Sequence, residues 1–100
     1  MSTNASAPVL DATVRVPNHV VYRSFVQETV VLNLETGRYH GLNPTAGTML
    51  SALEAAGSIR GALRSLTEEF PDAGDRLESD LVRFCEHARQ RGLIELTETP

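Results

Sequence analysis

The fold is decided by residues 28–46, ETVVLNLETGRYHGLNPTA. Apolar residues recur at every second position through residues 30–34, which predicts a half-buried β-strand. Gly37 can adopt a positive φ angle without steric cost, so it predicts a tight hairpin turn into a partner strand at residues 38–42. Asn43-Pro44 then predicts a helix start, because Asn is a favoured N-cap and Pro is favoured at the first helical position.

The first strand of this hairpin has two different faces. Val30, Leu32 and Leu34 make one face apolar, whereas Val31 and Asn33 make the other face mixed. This alternation is the period of a half-buried strand.

The composition is that of a small globular domain. The chain has 100 residues, 41% hydrophobic and 22% charged, which predicts one ordered domain. Its net charge of −4 argues against a protein whose main task is to grip phosphate backbones. No apolar run approaches the roughly 18 residues needed to span a bilayer, and the N-terminus lacks the order of a signal peptide. We therefore expect a cytoplasmic protein that binds neither nucleic acid nor membrane.

The rest of the chain is organised around the hairpin. We expect residues 1–12 to be a flexible tail and residues 13–97 to be the domain. Short extended segments are predicted at 13–16 and 93–96, a first main strand at 19–26, and helices at 45–56, 58–70 and 75–91. Three strands followed by three helices indicate an α+β fold with segregated elements.

The sequence offers no constellation for catalysis. His19, His40 and His87 are far apart and show no metal-ligand spacing with carboxylates. Cys85, the single cysteine, lies on the apolar stripe of the third helix, which favours a small buried hydrophobe over a nucleophile. We expect a binding module, not an enzyme, without cofactor or metal.

Two modes of binding fit the predicted shape. The third helix could enter a DNA major groove, but its arginines alternate with acidic residues, which favours a salt-bridged, solvated face. The sheet could instead accept a peptide as a fourth strand, because an edge strand leaves unpaired backbone groups. The segment Arg38–Leu42 is the candidate edge.

A larger set of residues resembles a known family. LNLETGRYHGLN (residues 32–43), the Thr45-Ala46 helix start, DLVRF (80–84) and RGLI (91–94) are together similar to the PqqD-like family, across residues 19–96. These small domains recognise ribosomally synthesised, post-translationally modified precursor peptides, and the free-standing members from lasso-peptide clusters look most similar. The resemblance implies a winged-helix-like fold of three strands and three helices.

The resemblance also implies a function and a site. Family members bind the leader segment of a precursor peptide as a strand added to the third strand, beside the third helix, and present it to a partner enzyme. They are not themselves enzymes. The implied peptide-binding residues lie on the third strand and on one flank of the third helix, namely Arg38, Tyr39, His40, Gly41, Leu42, Asp80, Phe84 and His87. The opposite flank of that helix, with Val82, Cys85 and Arg89, stays an alternative.

Because side chains alternate along a strand, the residues of the third strand can be assigned to its two faces. If Leu42 faces the core, the side chains at 38 and 40 share its side, and those at 39 and 41 face the other way. Since backbone groups of this strand would pair with the leader, proline at His40 is expected to abolish binding and alanine to weaken it only modestly. Phe84 either lines the groove or belongs to the core.

Several alternatives stay open. The partner enzyme implied by the resemblance is a lasso-peptide leader peptidase, or else a radical SAM enzyme served by a PqqD-type chaperone. A winged-helix DNA-binding regulator is a further alternative, and the chain is a monomer or a weak homodimer. The sequence departs from the family pattern at His40, where relatives often carry an aromatic residue, and at Cys85 and Ala88, where they usually carry Leu.

Overall fold

The computed structural model describes residues 10–97. Strands β2, β3 and β4 form an antiparallel sheet in sequence order, and three helices follow it. The predicted α+β fold is thereby confirmed. The elements are β1 Thr13–Arg15, β2 Val20–Ser24, β3 Thr29–Asn33, β4 Tyr39–Leu42, α1 Pro44–Ala56, α2 Ile59–Glu69, α3 Arg76–Gln90 and β5 Glu95–Thr97.

Two short segments at the ends of the domain form a second sheet. β1 pairs with β5 in antiparallel register, so that Val14 lies opposite Leu96. The sequence predicts both segments as extended but not their pairing, because three-residue strands carry too little pattern to identify a partner. Leu93 and Ile94, which precede β5, are almost completely buried.

The predicted turn and cap residues act as expected. Gly37 adopts a φ of 75°, and its N–H donates to the Asn33 carbonyl at 2.8 Å. The Asn43 side chain accepts a hydrogen bond from the Ala46 N–H at 2.8 Å, and Pro44 is the first helical residue of α1. These contacts satisfy backbone groups that the ends of the hairpin and the helix would otherwise leave unpaired.

The buried face of β3 is the mixed face. Val31 is fully buried together with Thr29 and Asn33, whereas Leu34 is 58% exposed. Burial of the two polar side chains is tolerated because both are hydrogen-bonded. The Thr29 hydroxyl lies 3.1 Å from that of Ser24, and the Asn33 side-chain oxygen accepts hydrogen bonds from two backbone N–H groups of the following turn.

A glycine brings α1 close to this polar face. A Cβ atom at Gly47 would lie 2.1 Å from the Thr29 hydroxyl oxygen, a distance that real contacts do not reach. The close approach of helix and sheet therefore depends on the absence of a side chain at this position. It fixes the first half of α1 against the end of the sheet where β4 terminates.

The packed chain begins before the predicted domain boundary. Residues 1–9 of the expected tail lie outside the described residues. The expectation is wrong for the last part of the tail, since Leu10 is 7% exposed and Ala12 is 1% exposed. The Ile59 N–H also donates to the Ala12 carbonyl, and Asp11 forms an ion pair with Arg60 at 3.0 Å. Two apolar side chains among small and polar residues are too weak a sequence signal to show this docking.

The three helices supply most of the core. Each buries one stripe, and the stripes meet one another and the inner face of the sheet. Within residues 10–97, none of the helices has the length and apolar character needed to cross a bilayer. The largest fully buried side chains are Leu50, Leu53, Ile59, Leu66, Leu81, Leu93, Ile94, Val31 and Cys85.

Truncation of Leu10 tests whether this part of the chain belongs to the core. Leu10→Ala removes a buried side chain and should lower the free energy of unfolding by about 2–4 kcal/mol. Urea denaturation followed by circular dichroism measures the change. The matched control is Leu34→Ala, whose side chain is 58% exposed and whose effect should stay within about 0.5 kcal/mol. Equal, small effects of both substitutions would show that Leu10 is not part of the core.

The thiol of Cys85 provides a second test of the packing. Burial raises the pKa of this thiol from its ordinary value of 9.0 to about 12. At pH 8 the native protein should therefore resist a disulfide reagent, and one thiol should react once urea unfolds the chain. The contribution of this group to stability is fully present below pH 9 and is lost as the pH rises through 12, because the unfolded chain then releases the proton more readily. Rapid, stoichiometric labelling of the folded protein at pH 8 would contradict the buried position.

Candidate functional site

Strand β4 forms one edge of the three-stranded sheet. Among residues 10–97, β3 is the only strand that pairs with it. The candidate edge identified from the sequence is therefore an edge in the structure. Its first predicted member, Arg38, lies in the turn just before β4 and is exposed.

The ladder between β3 and β4 determines which backbone groups are free. The Asn33 N–H donates to the Arg38 carbonyl at 2.9 Å, and two residues further along Val31 lies opposite His40. Hydrogen-bonded pairs alternate with non-hydrogen-bonded pairs along an antiparallel ladder. The backbone groups of His40 therefore face Val31 and are already used within the sheet.

The intervening residues of β4 face the opposite direction. The N–H and C=O groups of Tyr39 and Gly41 point to the free edge, which gives two donors and two acceptors for an added strand. The expected effect of proline at His40 is therefore wrong in its mechanism. That substitution would remove a bond between β3 and β4 and leave the outward groups in place.

The side chains of β4 follow the predicted alternation. Leu42 is buried and His40 is half-buried on the inner face, whereas Tyr39 is 72% exposed on the outer face and Gly41 is also exposed. Tyr39 continues a row of outer-face side chains that crosses the sheet, with Leu32 opposite it on β3 and Val21 opposite Leu32 on β2. An added strand would extend both faces of the sheet.

The predicted helix residues line one surface depression. It has a volume of about 260 Å³ and lies where α3 meets the first turns of α1. Asn43 belongs to its lining and directly follows β4, so the depression adjoins the end of the candidate edge. The residues of β4 itself are not part of the lining. The lining residues are Asn43, Thr45, Ala46, Met49, Asp80, Arg83, Phe84 and His87.

Phe84 combines the two roles that the sequence left open. It is half-buried, packs against the core and lines the depression. One side of the ring therefore stabilises the fold and the other is available to a ligand. The apolar floor of the depression consists of Phe84, Ala46 and Met49, and its polar rim includes Asp80 and His87.

The charges on α3 are arranged in pairs. The Arg83 guanidinium lies 3.6 Å from the Asp80 carboxylate, and Arg89 forms an ion pair with Glu86 one turn later. The hydrogen bond from Arg89 lowers the pKa of Glu86. Two arginines of α3 are thus neutralised along the helix, as predicted for a salt-bridged, solvated face.

Sequence reasoning missed several residues of this region. Arg83 and Met49 line the depression because the Asn43 cap turns the chain from β4 directly into α1. The Asn43-Pro44 signal was available in the sequence, but the distance between α1 and α3 was not. A larger depression of about 480 Å³ lies between the β2–β3 turn, α1 and α2 and contains none of the predicted residues. Its lining is Ser24, Phe25, Thr29, Pro44, Gly47, Thr48, Ser51, Ala52, Ala55, Ser65 and Glu69.

The described residues hold little that could carry metal or acid–base chemistry. Among residues 10–97, no three His, Cys, Asp or Glu side chains are grouped closely enough to ligate a metal ion. Burial and a hydrogen bond to Glu54 raise the pKa of Tyr22 to about 12, and this tyrosine lies on the inner face away from the depression.

Two known proteins are similar to this chain. A "PqqA binding protein" from Azotobacter vinelandii (strain DJ / ATCC BAA-1303) is 38% identical over 55 residues, which is 55% of this chain. The match spans 59% of that relative's length. The solved structure of "TbiB1 in Complex with the TbiA(beta) Leader Peptide" is similar with a TM-score of 0.71 and 26% identity, over 81% of this chain and 94% of that chain.

A known family also matches this chain from sequence alone. Residues 28–94 match the family described as "Coenzyme PQQ synthesis protein D (PqqD)". This range begins just before β3, contains the hairpin and all three helices, and ends at the buried Ile94. It includes every residue of the candidate edge and of the depression. The chain belongs to the PqqD family.

Proposed function

We propose that this chain binds the leader segment of a ribosomally synthesised precursor peptide and presents it to a maturation enzyme. The observation that carries the proposal is the free edge of β4, with the outward backbone groups of Tyr39 and Gly41, which leads at its end through Asn43 to the depression on α3. An extended peptide can add to this edge as a fourth strand. Two relatives support this function, since one is described as a PqqA binding protein and the other is described in complex with a leader peptide.

Backbone pairing alone is too weak for a useful complex. Four hydrogen bonds contribute about 0.5–1.5 kcal/mol each, whereas a dissociation constant of 1 μM requires about 8 kcal/mol after the entropy of association has been offset. Side chains of the leader must therefore bury apolar surface. A fully buried large side chain contributes about 1.5–3 kcal/mol, and Phe84, Met49 and Ala46 offer such a surface next to the strand.

The edge of β4 contributes affinity for any extended peptide, whereas the depression contributes specificity. The edge groups of β4 accept any sequence that can extend, because they contact only main chain. The depression selects a leader whose side chains reach it at the correct spacing along the strand. In this proposal His40, half-buried on the inner face of β4, lies beside the inward-facing side chains of the added strand.

The partner enzyme defines two versions of the proposal. A lasso-peptide leader peptidase is favoured by the resemblance of residues 32–43 and 80–94 to free-standing recognition domains. A radical SAM enzyme is favoured by the PqqA binding protein among the relatives. The neighbouring genes discriminate between them, because a transglutaminase-like peptidase supports the first version and a radical SAM enzyme supports the second.

A DNA-binding role has less support. The net charge is −4, and Asp80 and Glu86 pair with two of the arginines on α3. Binding to duplex DNA relies on release of counterions by unpaired cationic side chains. In this proposal the protein acts without catalysis of its own and in the cytoplasm.

Titration with the leader peptide encoded beside this gene tests the proposal. Calorimetry should give a dissociation constant of about 1 μM or below. Methylation of single backbone nitrogens of the leader should then weaken binding at every second position of the bound strand. Each methyl group on a nitrogen that faces β4 removes a hydrogen bond to Tyr39 or Gly41 and should cost about tenfold in affinity.

The neighbouring leader positions provide the matched control. Their N–H groups face away from β4, so methylation there should change the affinity by less than about threefold. A leader that does not bind would exclude the proposed function. Tight binding with no two-residue periodicity would place the leader on another surface of the protein.

A further inference from the structure

The outer face of the sheet carries a carboxylate at the edge of β4. Gly41 lies opposite Val30, and a Cβ atom added to Gly41 would be 3.1 Å from the Glu28 Oε1 atom. The Glu28 carboxylate therefore lies over the backbone of Gly41, where a side chain would otherwise stand. Within residues 10–97, no arginine or histidine nitrogen lies within 4.0 Å of this carboxylate, and the chain contains no lysine.

The outward direction of the Gly41 backbone groups determines which residue of an added strand would lie near the Glu28 carboxylate. Because the N–H and C=O of Gly41 point to the free edge, the residue of an added strand opposite Gly41 forms its hydrogen-bonded partner. Directly opposite residues in an antiparallel pair have their side chains on the same face. The side chain of that partner residue would therefore lie on the outer face, beside Glu28.

The surroundings of this position favour a long side chain. Gly41 has no side chain of its own, so none stands between the partner's side chain and the Glu28 carboxylate over Gly41. The ring of Tyr39, two residues along β4 and 72% exposed, lies on the same face. Diagonal neighbours on adjacent strands are within reach of aromatic and long side chains.

We propose that Glu28, Gly41 and Tyr39 form a subsite for an arginine or lysine of the bound leader. The aliphatic stem extends along the outer face towards Gly41, the cation meets the Glu28 carboxylate there, and the Tyr39 ring faces the cation from the side. The net charge of −4 attracts basic segments at longer range. This inference rests on the proposed addition of a leader strand to β4.

The test couples a change in the protein to a change in the peptide. Each arginine of the neighbouring gene's leader is replaced in turn by citrulline, and each lysine by acetyl-lysine, which remove the charge and keep the stem. Binding to the unchanged protein should weaken by about twofold to fivefold at one position only. Binding to the Glu28→Gln variant should be weaker from the start and should not respond to the same peptide change.

Glu35→Gln is the matched control. Its carboxylate is exposed on the same hairpin but lies 3.6 Å from the His19 Nδ1 atom, at the far end of the β3–β4 ladder. The variant should bind the leader as the unchanged protein does and retain the response to the peptide change. Equal affinity of the unchanged protein and Glu28→Gln for the leader, or a peptide response that persists in Glu28→Gln, would overturn the subsite and leave strand addition intact. Failure of the unchanged protein to bind the leader would overturn both.

Discussion

The register of the β3–β4 hairpin is the constraint on which the rest of the structure depends. The turn closes because the Gly37 N–H reaches the Asn33 carbonyl at 2.8 Å and the Asn33 N–H reaches the Arg38 carbonyl at 2.9 Å. A slip of one residue would turn every side chain of β4 to the other face. It would also exchange the backbone groups that are paired with those that are free. The glycine at the turn thus determines that Tyr39 and Gly41 offer hydrogen bonds to a ligand and that His40 does not.

The end of the hairpin also fixes the position of the helices relative to the sheet. The Asn43 cap starts α1 immediately after β4, and Gly47 allows α1 to approach Thr29 more closely than a side chain would permit. The helix cannot shift along the sheet without loss of both contacts. Since α3 packs against α1, the position of Phe84 near Asn43, at the end of the free edge, follows from these local interactions. The proposed groove is therefore a consequence of the fold and requires no separate loop to build it.

Local sequence signals predicted the elements well, because caps and turns are encoded by single residues. Asn43, Pro44 and Gly37 each have a stereochemical role that requires no knowledge of distant contacts. The buried face of β3 could not be predicted in this way. The polar side chains on this face are hydrogen-bonded to Ser24 and to the following turn. Those partners can be identified only when the register of the strands is known.

The candidate site was predictable to a similar extent. Strand alternation correctly placed Leu42 and His40 inward and Tyr39 outward, because it depends on a period of two alone. The direction of the backbone groups depends on which residue starts the ladder, and the sequence does not specify this. The position of Glu28 over Gly41 depends in addition on a side-chain conformation. The docking of Leu10 and the pairing of β1 with β5 join residues far apart in the chain, and such contacts carry no local signature.

Amide hydrogen exchange with and without the leader peptide tests the central claim most directly. The amide of His40 bonds to β3 and should be protected in both states. The amides of Tyr39 and Gly41 face the free edge and should exchange rapidly without peptide and slowly with it. Measured by NMR at single residues, this pattern of two newly protected amides around one unchanged amide would identify β4 as the strand that accepts the leader. Unchanged exchange at both residues in a saturated complex, with new protection along β2 or on the helices, would contradict the account.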